Sequence, residues 1–380
     1  MKLLSKRYRW SRCVWLAIAI AIGCVEPIEF EVPPAEEQLV VEGMITDLIG
    51  PYTVKVSRAF GLNRFDTSSG PVTDLTIVLF DGVGNVEPFL ELSPGIYQTE
   101  ELIRGQVGNA YHIEISMPSG DKIISKSDTL KAGGAIEKID FEYQSRTVLE
   151  LNAEVPADVF NVYIDATIPE NEQQSFVRWK FTGTYKVLTF PELREIVTPR
   201  YPTPYKAPYP CSGYIVVEFI PGGKLEQITP CACCECWVTN YEKMPNLSDN
   251  QLIQGGYFRG IKVGEVPINN RTLYDKYLVT VEQFSMTKTS FDYFRLVRNQ
   301  KEQANSIFQP PSADIIGNLV VEQGNIRVIG LFWATSVTNA KVFVEPSKVP
   351  YNVTPIAIAT FPCYDICDNS TTVRPIEWVD

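Results

Sequence analysis

Histidine is all but missing from this chain: one residue, His112, in 380. That single imidazole excludes a histidine-rich zinc site and any mechanism that needs two. It stands in "NAYHIEISM", alternating with Tyr111, Ile113 and Ile115, and reads as a structural strand position. Positive charge is also scarce. Thirty-four Lys and Arg face 45 Asp and Glu, for a formal charge of −11, and no basic run follows residue 12. Such a chain is a poor match for nucleic acid or an anionic lipid surface. Catalytic motifs are absent too, with no Gly-x-Ser-x-Gly elbow, no phosphate loop and no His-Glu-x-x-His. A glycosidase needs only two carboxylates, but nothing singles out a pair among 45. We therefore expect no enzyme, no catalytic residue, no cofactor and no metal. No segment repeats at a fixed period. What is present, 45% apolar and 11% aromatic residues, describes a well-cored globular chain long enough for two or three domains.

Nor is there a hydrophobic run long enough to span a bilayer. The first twelve residues, MKLLSKRYRWSR, carry five cations and no acid, and the uncharged core after them, Cys13 to Gly23, is eleven residues. A basic start and a short apolar core read as a secretory signal, since a spanning helix needs about 20 apolar residues. The core ends in Ala21-Ile22-Gly23-Cys24, which resembles a bacterial lipobox and predicts diacylation of Cys24 as the mature N-terminus. The other reading is an uncleaved anchor helix with Cys24 a bystander. Charge argues for cleavage. Glu26, Glu29, Glu31, Glu36 and Glu37 follow the cysteine with no cation among them, and Pro27, Pro33 and Pro34 predict an extended tether over residues 24–37. Loss of the leader, residues 1–23, takes the formal charge from −11 to −16. An acidic tether behind a lipid cysteine resembles the surface-export signal of Bacteroidota-type lipoproteins, which implies an outer-membrane location facing the cell exterior.

The rest of the pattern is strands and turns, and predicts a mainly β protein. "QLVVEGMIT", "YTVKVSRAF", "DLTIVLF", "GIYQTE", "AYHIEISM" and "KIISKSDTL" alternate and are separated by turn residues. Over residues 38–132 they predict an immunoglobulin-like β-sandwich. Gly133-Gly134 marks a boundary, and residues 133–380 read as a larger β-rich domain with one prominent helix near 288–304. In that helix Phe291, Phe294, Val297 and Lys301 share a face, and Thr289 with Asp292 offers a capping-box-like start. "RVIGLFWATSVTNAKVFVE" reads as two strands of a closing hairpin around Thr338-Asn339. "TPRYPTPYKAPYPCSGY" is too rich in proline for a central strand or helix and predicts a polyproline-like loop. Tyr201, Tyr205 and Tyr209 in that loop, with Trp237, are candidates for a partner or ligand surface. The plainer reading packs them into a rigid crossover or the core.

Two stretches carry a family resemblance. "YLVTVEQFSMTKTSFDYFRLVRNQKEQ…SIFQPPSADIIGNL" with "VIGLFWATSVTNAKVFV" resembles the C-terminal signature of the domain of unknown function 4249 family. "CVEPIEFEVP…QLVVEGMITDLIGPYTVKVSRA" resembles its N-terminus, lipid cysteine included. The resemblance implies a Bacteroidota surface lipoprotein encoded beside a SusC-like TonB-dependent outer-membrane receptor. It implies an accessory role at an uptake channel, comparable in position to a SusD-like lid, and no functional residue beyond Cys24.

With Cys13 in the leader and Cys24 lipidated, seven cysteines remain: Cys211, Cys231, Cys233, Cys234, Cys236, Cys363 and Cys367. Outside the cytosol such thiols form disulfides. The cluster is read as a staple, its cysteines pairing with Cys211, Cys363 or Cys367 and leaving one odd thiol. Bonding between adjacent Cys233 and Cys234 is disfavoured by ring strain. A four-thiolate metal site and a redox pair are the competing readings, and four ligands within six residues suit tetrahedral geometry badly. The function expected is an accessory, substrate-capture or lid subunit of the transporter, with a small-molecule, glycan or peptide ligand. The alternative is a structural or adhesion lipoprotein.

Overall fold

In QLVVEGMIT, Leu39, Val41 and Ile45 turn to one face and are buried, as a half-covered strand requires. The computed structural model describes residues 38–59, 70–150, 153–169, 175–199, 201–218, 223–251, 253, 255–303, 315–353, 359–366 and 369–378. The leader, Cys24, the tether and Cys367 lie outside them.

The strand Gln38–Thr46 pairs antiparallel with Thr53–Ala59. From there the hydrogen-bonded path runs through Ile96–Gln98, Val86–Ser93, Thr76–Asp81, Ala110–Ser116 and Lys122–Ser125. Two further strands arrive from far along the chain. Leu319–Gln323 pairs with Lys122–Ser125, and Arg327–Thr335 runs parallel to Gln38–Thr46 in unbroken register. These two are neighbours in sequence yet sit at opposite ends of the path, so the sheet is nearly closed. Val41, Val54, Ile77, Ile113, Ile123 and Phe332 fill its interior. The sandwich begun by residues 38–132 is thus completed by residues 319–335.

A short seam makes that completion possible. Asn318 is buried, donating Nδ2 to the carbonyls of Lys126 (3.0 Å) and Phe332 (2.6 Å) while its Oδ1 accepts from Phe332 N–H (3.1 Å). Backbones here lie too close for side chains. A Cβ on Gly317 would fall 1.5 Å from the Gly330 carbonyl oxygen, and Gly330 itself has a φ of 123°.

The second half builds another pair of facing sheets. Three strands, Ile136–Gln144, Val159–Thr167 and Tyr257–Pro267, cover a larger sheet ordered Val337–Val344, Tyr277–Met286, Phe176–Leu188, Glu235–Tyr241 and Ser370–Thr371. Trp179, Phe181, Phe160 and Tyr277 are the bulk between them, and the Trp179 indole donates to Gln283 Oε1 at 2.7 Å. A buried indole keeps its hydrogen bond this way. The protein is mainly β; among the described residues the prominent helix is Lys288–Gln303, with one further α-helical turn at Cys363–Ile366.

Three local expectations change. Arg327–Thr335 and Val337–Val344 form no hairpin, since the break falls at Ser336 and the second strand pairs with Tyr277–Met286 in the other sheet. Leu331, Phe332, Trp333 and Ala334 are all buried because that strand is covered on both faces, which hides the alternation. The helix is capped by Thr287, not Thr289: the Ser290 N–H donates to Thr287 Oγ1 at 3.4 Å. Thr287 and Ser290 hydroxyls both donate to Asp128, which also accepts from Ala334 N–H, so one carboxylate ties helix start to sandwich. On the expected face, Phe291 is buried, Phe294 meets Trp333, and Lys301 reaches the Lys243 carbonyl. Finally, the proline-rich run is not an unpaired loop. Tyr201–Lys206 pairs with Glu195–Thr198 in a two-stranded hairpin, where every strand is an edge and proline's missing N–H can face the open side.

Candidate functional site

The cysteine cluster immediately precedes and enters the strand Glu235–Tyr241, which is held on one side by Phe176–Leu188 and on the other by Ser370–Thr371. Linked to that strand is a lobe whose hairpins pair outside the two larger sheets. The lobe contains the hairpin 195–206, a turn at Pro210–Ser212, and a second hairpin, Tyr214–Glu218 with Lys224–Gln227.

Three disulfides fasten it. Cys211 bonds Cys233 and Cys236 bonds Cys363, with Cα–Cα distances of 5.7 and 5.8 Å. The third bridge, Cys231–Cys234, lies inside the cluster, a correction to the expectation that cluster cysteines pair with Cys211, Cys363 or Cys367. Cys233 and Cys234 do not bond to each other. All six sulfurs are consumed, so none of these residues is a thiolate free to ligate a metal. Backbone bonds reinforce the arrangement: Thr189 N–H donates to the Cys234 carbonyl (2.9 Å), Cys363 N–H to the Cys233 carbonyl (3.1 Å), and Ala232 N–H to the Cys211 carbonyl (2.9 Å).

The four aromatic candidates separate. Trp237 is 5% exposed and packs edge-on to Trp378 at 6.4 Å, so it belongs to the core and not to a surface. Cys236, Trp237 and Val238 are all buried because the strand is covered on both faces: Val238 joins the core between the sheets, and Trp237 lies in a separate cluster with Leu278 and Trp378, which its residue type alone does not reveal. Tyr201 has its backbone in the hairpin, opposite Thr198. Tyr205 is exposed across from Ile196. Tyr209 is half-buried, with the Arg194 guanidinium over its ring at 4.4 Å and Phe361 at 6.4 Å. A cation over an aromatic face contributes about 0.5–1 kcal/mol at an exposed site.

Around Tyr209 the lobe exposes residues the sequence reading missed. Phe190, Leu193, Phe361 and Tyr364 are 40, 37, 55 and 50% exposed. They are neighbours: Phe190 N–H donates to the Ala359 carbonyl at 2.7 Å, and the Tyr364 hydroxyl lies 3.8 Å from Cys211 Sγ. The signal that marks them is the repeated Phe-Pro pair, Phe190-Pro191 and Phe361-Pro362, where proline ends the regular backbone and leaves the ring outside. These large apolar side chains are grouped on a scaffold cross-linked by disulfides, and an exposed apolar patch held on ordered backbone loses little freedom on contact.

No curated protein matches the chain. The family described as Domain of unknown function (DUF4249) matches residues 25–341, a span that takes in the first sandwich, most of the second and the cluster but stops before Cys363. The chain belongs to the domain of unknown function family DUF4249.

Proposed function

We propose that this protein is an outer-membrane surface lipoprotein, anchored through Cys24, that docks by its stapled lobe on a SusC-like TonB-dependent receptor and serves it as a substrate-capture or lid subunit. The observation that carries the reading is the lobe, in which Phe190, Leu193, Tyr209, Phe361 and Tyr364 stand together on a scaffold closed by three disulfides. Disulfides at this density support an oxidising compartment, in keeping with the leader and the lipobox-like Ala21–Cys24. A lipid at residue 24 and a tether to residue 37 supply the anchor, and the apolar lobe supplies the contact.

The test is extraction of the C-terminally tagged chain from native outer membranes in mild detergent, with copurifying proteins identified by mass spectrometry. A TonB-dependent barrel in stoichiometric amount is expected. A lipidated protein recovered alone removes the transporter reading and leaves the structural or adhesion one. In parallel, Cys24→Ser is expected to abolish incorporation of labelled palmitate.

A further inference from the structure

On the outer face of the first sandwich, Lys55, Glu42 and Leu331 stand in one row, with Met44 and Trp333 opposite each other in the next. Tyr293 and Phe294 of the helix, with Arg178 of the second sheet, face this surface across an open cavity of about 370 Å³. That volume falls within the range of small-ligand sites, about 300–1,000 Å³. Its walls are mainly apolar: Trp333 and Phe294 rings meet at 5.3 Å, and Leu331 and Met44 continue the same surface.

The charges in the cavity divide into two kinds. Arg178 is committed, bonded to Glu242 and lying over the Phe294 ring at 4.2 Å. Lys180 is committed to Glu282 at 2.9 Å. Glu42 and Lys55 are different. They are directly opposite in strand register and both exposed, yet no ion pair joins them to each other or to another described residue. The cavity therefore offers one carboxylate and one ammonium, side by side across the strand pair but held in no close ion pair among the described residues, beside an apolar wall. Between them, burial first and then the Glu42 charge push the Tyr293 hydroxyl up to about 12, so it stays a neutral hydrogen-bond donor.

We infer that this cavity binds a small zwitterion with an apolar or aromatic body, of the class of a free amino acid or dipeptide. The ligand's ammonium meets Glu42, its carboxylate meets Lys55, and its side chain lies against Met44, Trp333 and Phe294. A simple anion would leave Glu42 repelling it, and a neutral sugar, though it can hydrogen-bond to both groups, carries no charge to match either. The site is independent of the docking lobe and stands whether or not a receptor binds there.

Titration calorimetry on the detergent-solubilised full-length chain tests this, with four probes: leucyl-phenylalanine, its N-acetyl form, its C-terminal amide, and phenylacetate. Saturable binding of the free dipeptide on the order of 0.1–1 mM is expected, as small ligands with few anchors give. Blocking either end is expected to weaken it about three- to fivefold, the size of an exposed ion pair. Lys55→Met should erase the difference between acid and amide, and Glu42→Gln the difference between free and acetylated amine. Neither variant touches the core, and merely structural roles would not remove those selectivities one at a time. Absence of saturable binding, equal binding of all four probes, or phenylacetate binding as tightly as the dipeptide overturns the inference.

Discussion

The Asn318 carboxamide grips both backbone groups of Phe332, donating to its carbonyl at 2.6 Å and accepting from its N–H at 3.1 Å. A side chain here acts as the missing neighbour strand. It joins the two ends of the first sheet, and its second Nδ2 hydrogen bond reaches Lys126 on the strand side. Asn318→Ala leaves two buried backbone groups, the Phe332 N–H and carbonyl, and the part-buried Lys126 carbonyl short of a partner. Each unsatisfied group costs about 1–3 kcal/mol, so a loss of roughly 3 kcal/mol or more is expected in urea unfolding. Asn318→Asp should be at least as damaging, because its charge would face two carbonyl oxygens.

The same seam shows what a one-dimensional reading can and cannot reach. Alternation in "QLVVEGMIT" and "AYHIEISM" was legible because one face of each strand is covered. The helix was legible from the Phe291–Phe294–Lys301 spacing. Pairing between Gln38–Thr46 and Arg327–Thr335 was not, since periodicity names a face but never a partner. "LFWATSV" concealed its strand break for the opposite reason: both faces are buried, so no alternation marks where the chain crosses between sheets at Ser336. The staple was legible from the number and crowding of the cysteines, whereas the bridge inside the cluster was not.

Acid should weaken the second sandwich through Asp158. Its carboxylate accepts from Tyr143 and Tyr351 hydroxyls at 2.8 and 2.9 Å and from Ser145 Oγ at 3.0 Å. These bonds, Tyr143's first, hold its pKa below the usual aspartate value. A depressed carboxylate stabilises the fold at every pH above its unfolded value, and that contribution is lost as pH falls through the folded one. Urea midpoints of wild type and Asp158→Asn should therefore differ at neutral pH, by about 1.5–3 kcal/mol for a hydrogen-bonded charge, and converge below the ordinary aspartate range.

Asp128 should behave with the opposite sign. Burial, the largest influence, pushes its carboxyl above the usual range despite the Thr287, Ser290 and Ala334 donors. Its proton-linked contribution is full below the unfolded value and lost as pH rises through the folded one. In an Asp128→Asn variant, the stability difference from wild type should grow less unfavourable as pH rises over that window. A pH series of thermal unfolding midpoints measures it.

The three disulfides should differ in worth by loop length. Cys236–Cys363 spans 127 residues, Cys211–Cys233 spans 22 and Cys231–Cys234 spans 3. Chain entropy then predicts losses of about 5, 3 and 2 kcal/mol for pairwise replacement by serine. Denaturant titration of the three double variants gives the order. Loss of Cys236–Cys363 should also speed proteolysis between residues 345 and 378, because that bridge holds the segment to the sheet.

Docking of the lobe is tested most directly by placing a photo-crosslinking benzoylphenylalanine at Phe361 in living cells, with Val83 on a remote exposed turn as the control position. Our reading predicts one dominant adduct from position 361 that contains a TonB-dependent barrel, and none from position 83. No adduct from position 361, or the same adduct from both positions, would contradict it.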